Sequence, residues 1–257
     1  MKMKRKGILG VLVAVAVVGM LIVGCGQPEK VSGGQSYAEK ASAEAVPINE
    51  AQLGMFQPLP EAMESPENPI TPAKVDLGRM LYYETRISKN HDISCNTCHD
   101  LANFGADGKP TSPGHKDQLG TRNSNTVYNA AGQFVQFWDG RAKDVEEQAK
   151  GPVLNPVEMA MPDEASVTAV LKSMPGYVEA FQEAFPGEAD PVTYDNFAKA
   201  VGAFERKLVT PSPWDKFLKG DQAALSAEER KGFNKFVEAG CTTCHIGPYV
   251  GGNMFQK

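Results

Sequence analysis

Alternating apolar and polar side chains, the mark of a half-buried strand, are missing throughout the 257 residues, and sheet-based folds are excluded on that ground. Positive charge is also scarce. Of 26 Lys+Arg, four stand at Lys2, Lys4, Arg5 and Lys6; without them 22 remain against 31 Asp+Glu, a net charge of −9. Such a balance argues against nucleic acid as a partner. Histidine and cysteine are few as well, four and five residues, so each one can be weighed individually.

What is present begins with an amino-terminal leader. Four basic residues precede an uncharged stretch from Gly7 to Gly24, the composition of a secretory signal peptide over residues 1–24. A retained membrane helix is the alternative, since the stretch is 18 residues long. Its end decides for export: no Ala-x-Ala site is near, and Ile22-Val23-Gly24-Cys25 is similar to a lipobox, with cleavage before Cys25 and lipidation of its thiol. The expectation is a periplasmic protein held to the membrane by a lipid anchor on Cys25. Residues 25–50, rich in Gly, Ser, Ala, Glu and Gln, read as a flexible linker.

The other four cysteines form two copies of one pattern, Cys95-Asn96-Thr97-Cys98-His99 and Cys241-Thr242-Thr243-Cys244-His245. Disulfides within either pair would close tiny loops and stabilise little. A four-thiolate zinc site usually spaces its pairs by ~12–20 residues, far less than the separation here. A thioredoxin-like motif wants a preceding strand, yet the run LSAEERKGFNKFVEAG before Cys241 is helical. The histidines settle it: at four His in 257 residues, both pairs being followed by one has chance odds of roughly one in four thousand. Two thiols one helical turn apart form thioethers with haem vinyl groups, and the adjoining imidazole reaches the iron. Two covalently bound haem c groups are expected, on Cys95, Cys98 and His99 and on Cys241, Cys244 and His245.

Apolar spacing is helical elsewhere: Leu77 and Leu81 after Thr71-Pro72, then Val167, Val170, Leu171 and Met174, then Phe181 and Phe185, then Phe197, Val201, Phe204 and Leu208. Ser226-Ala227-Glu228-Glu229 is a capping box, Phe233, Phe236 and Val237 form the buried face behind it, and Gly240 ends that helix. The fold class is all-α, with two cytochrome c-like haem domains, the second incomplete. The first covers 51–208 and the second starts over 209–257, with a hinge at Leu208–Trp214. Two Gly/Pro-rich stretches, 102–125 and 151–163, read as functional loops. His91, four residues before Cys95, reads as a solvated loop residue. His115 lies on the longer loop, and an iron ligand and an exposed side chain are both open to it.

The segments GTRNSNTVYNA, QFWDGRAKDVEEQAKGPVLNPVEM and GCTTCHIGPYVGGNMFQK resemble the bacterial di-haem cytochrome c peroxidases, from about residue 51 onward. The resemblance implies a peroxidatic first haem and an electron-storing second one, with His99 and His245 as proximal ligands and His115 as a detachable distal ligand. Gln148 and Glu158 match the polar groups of the peroxide pocket, and Trp138 the tryptophan between the haems. Asn123 matches a calcium-site residue, which makes calcium a candidate ion. Hydrogen peroxide is the implied substrate, a small cytochrome c or blue-copper protein the electron donor, and a homodimer a candidate assembly. A carboxylate in an apolar pocket suits the proton transfer that O–O cleavage requires. Two rivals stand beside it: a protein-side-chain oxidase of the methylamine dehydrogenase maturation type, which shares the architecture, and a plain di-haem electron carrier, which the NPVEM run and the His115 loop disfavour. The family continues past the segment ending in Lys257 with a methionine ligand for the second haem, so the chain reads as part of a longer protein. Met254, nine residues after His245, reads as a packing residue.

Overall fold

The computed structural model describes residues 46–255; the expected signal peptide, Cys25 and most of the linker lie outside the described residues. Within them the regular structure is helical, accompanied by two isolated bridges, Pro113 with Leu119 and Gln136 with Ala142. In chain order the helices are α1 (Glu50–Leu53), α2 (Pro72–Tyr82), α3 (Cys95–Cys98), α4 (Val145–Leu154), α5 (Glu164–Lys172), α6 (Pro175–Ala184), α7 (Tyr194–Glu205), α8 (Pro213–Leu218) and α9 (Ala227–Glu238). None is long and apolar enough to cross a membrane.

Helix α7 is the centre of the first domain because nearly every side chain on it is buried. Thr193 caps it, accepting from the Asn196 amide at 3.1 Å, and Phe197 and Val201 face the core with Leu77 and Leu81 of α2, Val167 and Leu171 of α5, and Phe181 of α6. Burying each such side chain is worth about 1.5–3 kcal/mol. Thr71 caps α2 with Pro72 at its first position, as the sequence indicates. The two helices cross at Gly78, where a Cβ would lie 1.9 Å from the Ala200 carbonyl oxygen. Only glycine permits that approach.

A polar clamp holds α4 against the end of α7. The Arg206 guanidinium donates from Nε and Nη2 to the Glu146 carboxylate, both at 2.8 Å, and from Nη1 to the Met63 carbonyl at 3.0 Å. Asn68 adds a 2.8 Å bond to Glu146. Helix α4 runs to Leu154, so the first four residues of the expected 151–163 loop are helical. Its Pro152 is the eighth residue and, having no amide hydrogen, forfeits one intrahelical bond. The turn that follows is tied by Asn155, whose carbonyl accepts from the Glu158 and Ala160 amides at 3.0 and 2.9 Å.

The amino-terminal stretch packs with the last part of the chain. Phe56 lies edge-on to Trp214 at 5.5 Å and to Phe233 at 5.7 Å, and the Leu59 amide donates to Asp215 at 2.6 Å. The Gly247 amide reaches the Met55 carbonyl at 2.8 Å. A boundary at residue 51 therefore groups Phe56 with the first domain although its ring contacts lie in the second. The expected hinge is pinned: Asn129 donates to the Leu208 carbonyl at 2.8 Å and exchanges two side-chain bonds with Thr210, at 2.7 and 3.0 Å. The Ser226 capping box of α9 forms as the sequence indicates, while Phe233, Phe236 and Val237 are half-buried.

Candidate functional site

The first Cys-x-x-Cys-His run folds as a single helical turn because Ser94 and Thr97 cap it reciprocally, Thr97 Oγ1 accepting from the Ser94 amide at 3.0 Å. Cys95 and Cys98 thus lie one turn apart, and both thiols are free. Burial pushes the Cys95 thiol up to about 12, with the Glu205 carboxyl adding to the effect. His99 leaves the helix with Nδ1 2.9 Å from the Asn125 carbonyl, and Tyr82 donates to the His99 carbonyl at 2.5 Å. Burial lowers the His99 pKa and favours neutral imidazole, the form that binds metal. The carbonyl on Nδ1 reserves Nε2 for a ligand.

These groups line a cavity of about 310 Å³ together with Gln148 from α4 and Glu158 from the turn after it. Glu158 is half-buried; burial raises its carboxyl pKa, partly offset by the charge of Arg141 and a 3.0 Å bond from Asn155. Trp138 and Asn123 also line the cavity, joined by a 3.1 Å bond from the indole N–H to the Asn123 carbonyl. Trp138 is 57% exposed, which excludes ordinary core packing. Asn123 is exposed.

His115 is 6% exposed and its Nδ1 has no hydrogen-bond partner. It is not among the residues that line the cavity. Its amide donates to the Glu158 carbonyl at 2.8 Å, and Gly114 presses against the same turn, where a Cβ would sit 2.0 Å from the Val157 carbonyl. The His115 and Glu158 turns therefore form one backbone-linked unit. His91 is exposed, as expected of a solvated loop residue.

The second run is assembled differently. Gly240, with φ +79°, ends α9 into the short turn Cys241–Thr243, and His245 Nδ1 lies 2.9 Å from the Val250 carbonyl. Cys244 and His245 are exposed, with the Phe236 ring 6.0 Å from the imidazole. Tyr249 joins this segment to the first domain through a 3.1 Å bond to Met63 Sδ. Met254 is 43% exposed, and the chain about it lies at the surface.

Free thiols paired on one turn, an imidazole with its second nitrogen already engaged, and an orphaned buried His115 Nδ1 beside the cavity are the donor set that a covalent haem would use. The residues fit the group. The family model for di-haem cytochrome c peroxidase matches residues 72–223. The chain belongs to that family. It is 46% identical over 215 residues to cytochrome c551 peroxidase of Pseudomonas aeruginosa, covering 83% of this chain and 62% of that protein. Against the cytochrome c551 peroxidase of Nitrosomonas europaea it is 47% identical over 196 residues, covering 75% and 58%. The methylamine utilization protein MauG of Methylorubrum extorquens is 36% identical over 213 residues, with coverage of 82% and 60%. The chain thus spans less than two thirds of each of these relatives. Among solved structures, a MauG-like protein associated with microbial copper homeostasis superposes with TM-score 0.67 at 25% identity, over 76% of this chain and 59% of that one.

Family membership brings haem cofactors with it. Sequence reading missed three cavity residues, Arg122, Arg141 and Glu205. Arg141 lies in the quoted segment QFWDGRAKD, but its 2.8 Å pairing with Asp139 and its place over the Phe137 ring leave no local sequence signal. Glu205 sits on the last turn of a core helix, where a carboxylate looks like an ordinary surface residue.

Proposed function

We propose that this chain carries the peroxide-reducing site of a di-haem cytochrome c peroxidase, which reduces hydrogen peroxide to water with electrons from a small cytochrome c or blue-copper protein. Cys95, Cys98 and His99 would hold one haem c covalently, and Cys241, Cys244 and His245 the other. The bound haem supplies an iron that takes up peroxide and delivers electrons to it. The protein's part is proton management and positioning. Glu158, half-buried with a raised proton affinity, takes a proton from one peroxide oxygen and returns it to the departing oxygen, so two electrons and two protons convert one peroxide into two waters. Gln148, a neutral amide lining the same cavity, orients the substrate. His115 serves as the detachable distal ligand; its unpartnered Nδ1 is available, and its backbone bond to Glu158 links its departure to the placement of the carboxyl. Trp138 relays electrons between the haems, and Asn123 contributes to a calcium site. Export and a lipid anchor on Cys25 complete the proposal; intact-mass analysis finding an unlipidated start beyond Cys25 would contradict them.

The observation that carries this reading is that Glu158 lines one cavity together with Cys95, Cys98 and His99. An electron carrier has no use for it. Identities of 46 and 47% to peroxidases, against 36% to a MauG protein, favour peroxide reduction over side-chain oxidation. In the full-length protein, Glu158→Ala should keep both haems on a haem stain and lose about 10²–10⁴-fold in peroxide-dependent oxidation of reduced cytochrome c. Unchanged turnover would overturn the mechanism.

A further inference from the structure

Among the described residues two buried side-chain polar atoms have no hydrogen-bond partner, His115 Nδ1 and Asp107 Oδ2. The peroxide chemistry above uses only the first. Asp107 lies on the loop that leaves the first haem motif, and that loop folds back onto the segment holding the His99 imidazole. Gly105, with φ +73° and so close to this segment that a Cβ would sit 2.7 Å from Thr126 Oγ1, accepts from the Val127 amide at 3.1 Å. Thr126 donates to the Phe104 carbonyl at 2.6 Å, and Tyr128 to the Leu101 carbonyl at 2.8 Å. The loop is thereby fixed to the stretch whose Asn125 carbonyl meets His99 Nδ1 at 2.9 Å. Asp107 stands two residues beyond Gly105, with Oδ1 accepting from the Lys109 amide at 3.0 Å and Oδ2 buried. Burial lowers the His99 pKa and raises that of the Cys98 thiol; the Asp107 charge opposes the first effect and adds to the second, which places it near both. Among the described residues no Lys or Arg is ion-paired with Asp107. It is not among the residues that line the cavity.

We propose that Asp107 holds the haem on Cys95, Cys98 and His99 in its oxidised state while the second haem is reduced, its fixed negative charge near the His99 imidazole making the first iron the harder of the two to reduce. The inference rests on the haem reading of this site. No bond forms or breaks and no proton moves: one electron passes from the donor protein to the second haem, oxidising the one and reducing the other, and the first iron stays ferric. The cause is electrostatic. Ferric iron carries one more positive charge than ferrous iron, so a nearby carboxylate stabilises it more. The same carboxylate, together with the carbonyl on Nδ1, makes the imidazole a more basic ligand, which also favours the higher oxidation state. Because Oδ2 is buried and unpartnered, salt and solvent screen this charge little. A unit charge at the separation of neighbouring side chains, acting through an effective dielectric of about 20, biases a one-electron equilibrium by roughly tenfold. Asp107 is a positioning residue for charge and touches no substrate.

The test is a spectroelectrochemical titration of the haem-loaded, full-length protein at one fixed neutral pH, following the two haems as separate waves. In the unmodified protein the second haem should be reduced first. Asp107→Asn keeps the shape and the Oδ1 acceptor but removes the charge; it should favour the ferrous first haem about tenfold, a rise of about 59 mV for one electron, and leave the second wave in place. Asp107→Glu keeps the charge and should hold the first wave nearer its unmodified position. A merely structural role predicts the reverse, since the longer Glu disturbs the loop more than the isosteric Asn. An unmoved first wave in Asp107→Asn, an equal shift of both waves, or Asp107→Glu moving the first wave as far as Asp107→Asn does would overturn the proposal. So would an unmodified protein whose first haem is reduced together with or before the second, an outcome that needs no variant to fold. A haem stain separates the two readings: haem on Cys95 and Cys98 with an unmoved wave defeats Asp107 alone, whereas no haem there in the unmodified protein defeats the peroxidase reading as well.

Discussion

Replacing Glu146 with alanine tests the clamp that fixes α4, and with it Gln148, against α7. The Glu146 carboxylate accepts three hydrogen bonds at 2.8 Å, two from Arg206 and one from Asn68. Both ionic partners are mostly buried, their side chains exposed by 7% for Arg206 and 14% for Glu146. Truncation leaves the guanidinium inside the protein with the Met63 carbonyl as its remaining acceptor. Breaking one side of such a pair costs about 3–5 kcal/mol, because a buried charge is left uncompensated. At roughly 2–4 °C per kcal/mol for a domain of this size, the thermal midpoint should drop by roughly 6–20 °C. Differential scanning calorimetry on the haem-loaded protein gives the number. Glu146→Leu with Arg206→Met is the control, since removing both charges for apolar groups of similar volume should recover most of the loss. A midpoint within about 2 °C of the unmodified protein, or a double variant as unstable as the single one, would refute the reasoning.

Two further outcomes follow from the site. His115→Gly should change the spectrum of the oxidised protein, because the first haem loses its proposed sixth ligand, while the haem stain stays constant; an unchanged spectrum would remove His115 from the ligand set. Stability should also depend on Glu205 between its ordinary carboxylate range and about 8. Its folded pKa lies above its unfolded one, so the folded state holds more protons in that window and loses stability as pH rises through it, with no penalty below. Chemical denaturation against pH should show a shallower decline in Glu205→Gln, and parallel curves would refute the assignment.

The helices were legible because their signals are local. Thr71-Pro72, Ser226 with Glu229, and the periodic Leu77–Leu81 and Phe197–Val201 pairs each carry their own instruction, and the structure follows them. The haem motif was legible for the same reason, being written in five consecutive residues. Long-range geometry was not. Nothing near Phe56 says that its ring partners are Trp214 and Phe233, and nothing near Leu208 says that Asn129 pins the segment that two prolines would loosen. The Gly/Pro-rich composition of 151–163 pointed to a loop, yet α4 continues through Pro152 to Leu154. Glu158 needed the family resemblance, since an isolated carboxylate in a Pro-rich loop is usually solvated.

The two haem motifs show how far a short signal reaches. Each places two thiols on one turn and an imidazole whose Nδ1 meets a backbone carbonyl, Asn125 for His99 and Val250 for His245, both at 2.9 Å. That much is identical, because it depends on the pentapeptide and the few residues around it. The difference arises across the cavity. The first motif lines its cavity together with residues of α4, the Asn155–Ala160 turn and the end of α7, among them Gln148, Glu158 and Glu205. His245 has the Phe236 ring beside it and remains exposed. In the proposed enzyme Glu158, which lines the cavity with the first motif and whose carboxyl burial holds above its ordinary range, moves the proton at the haem that meets peroxide.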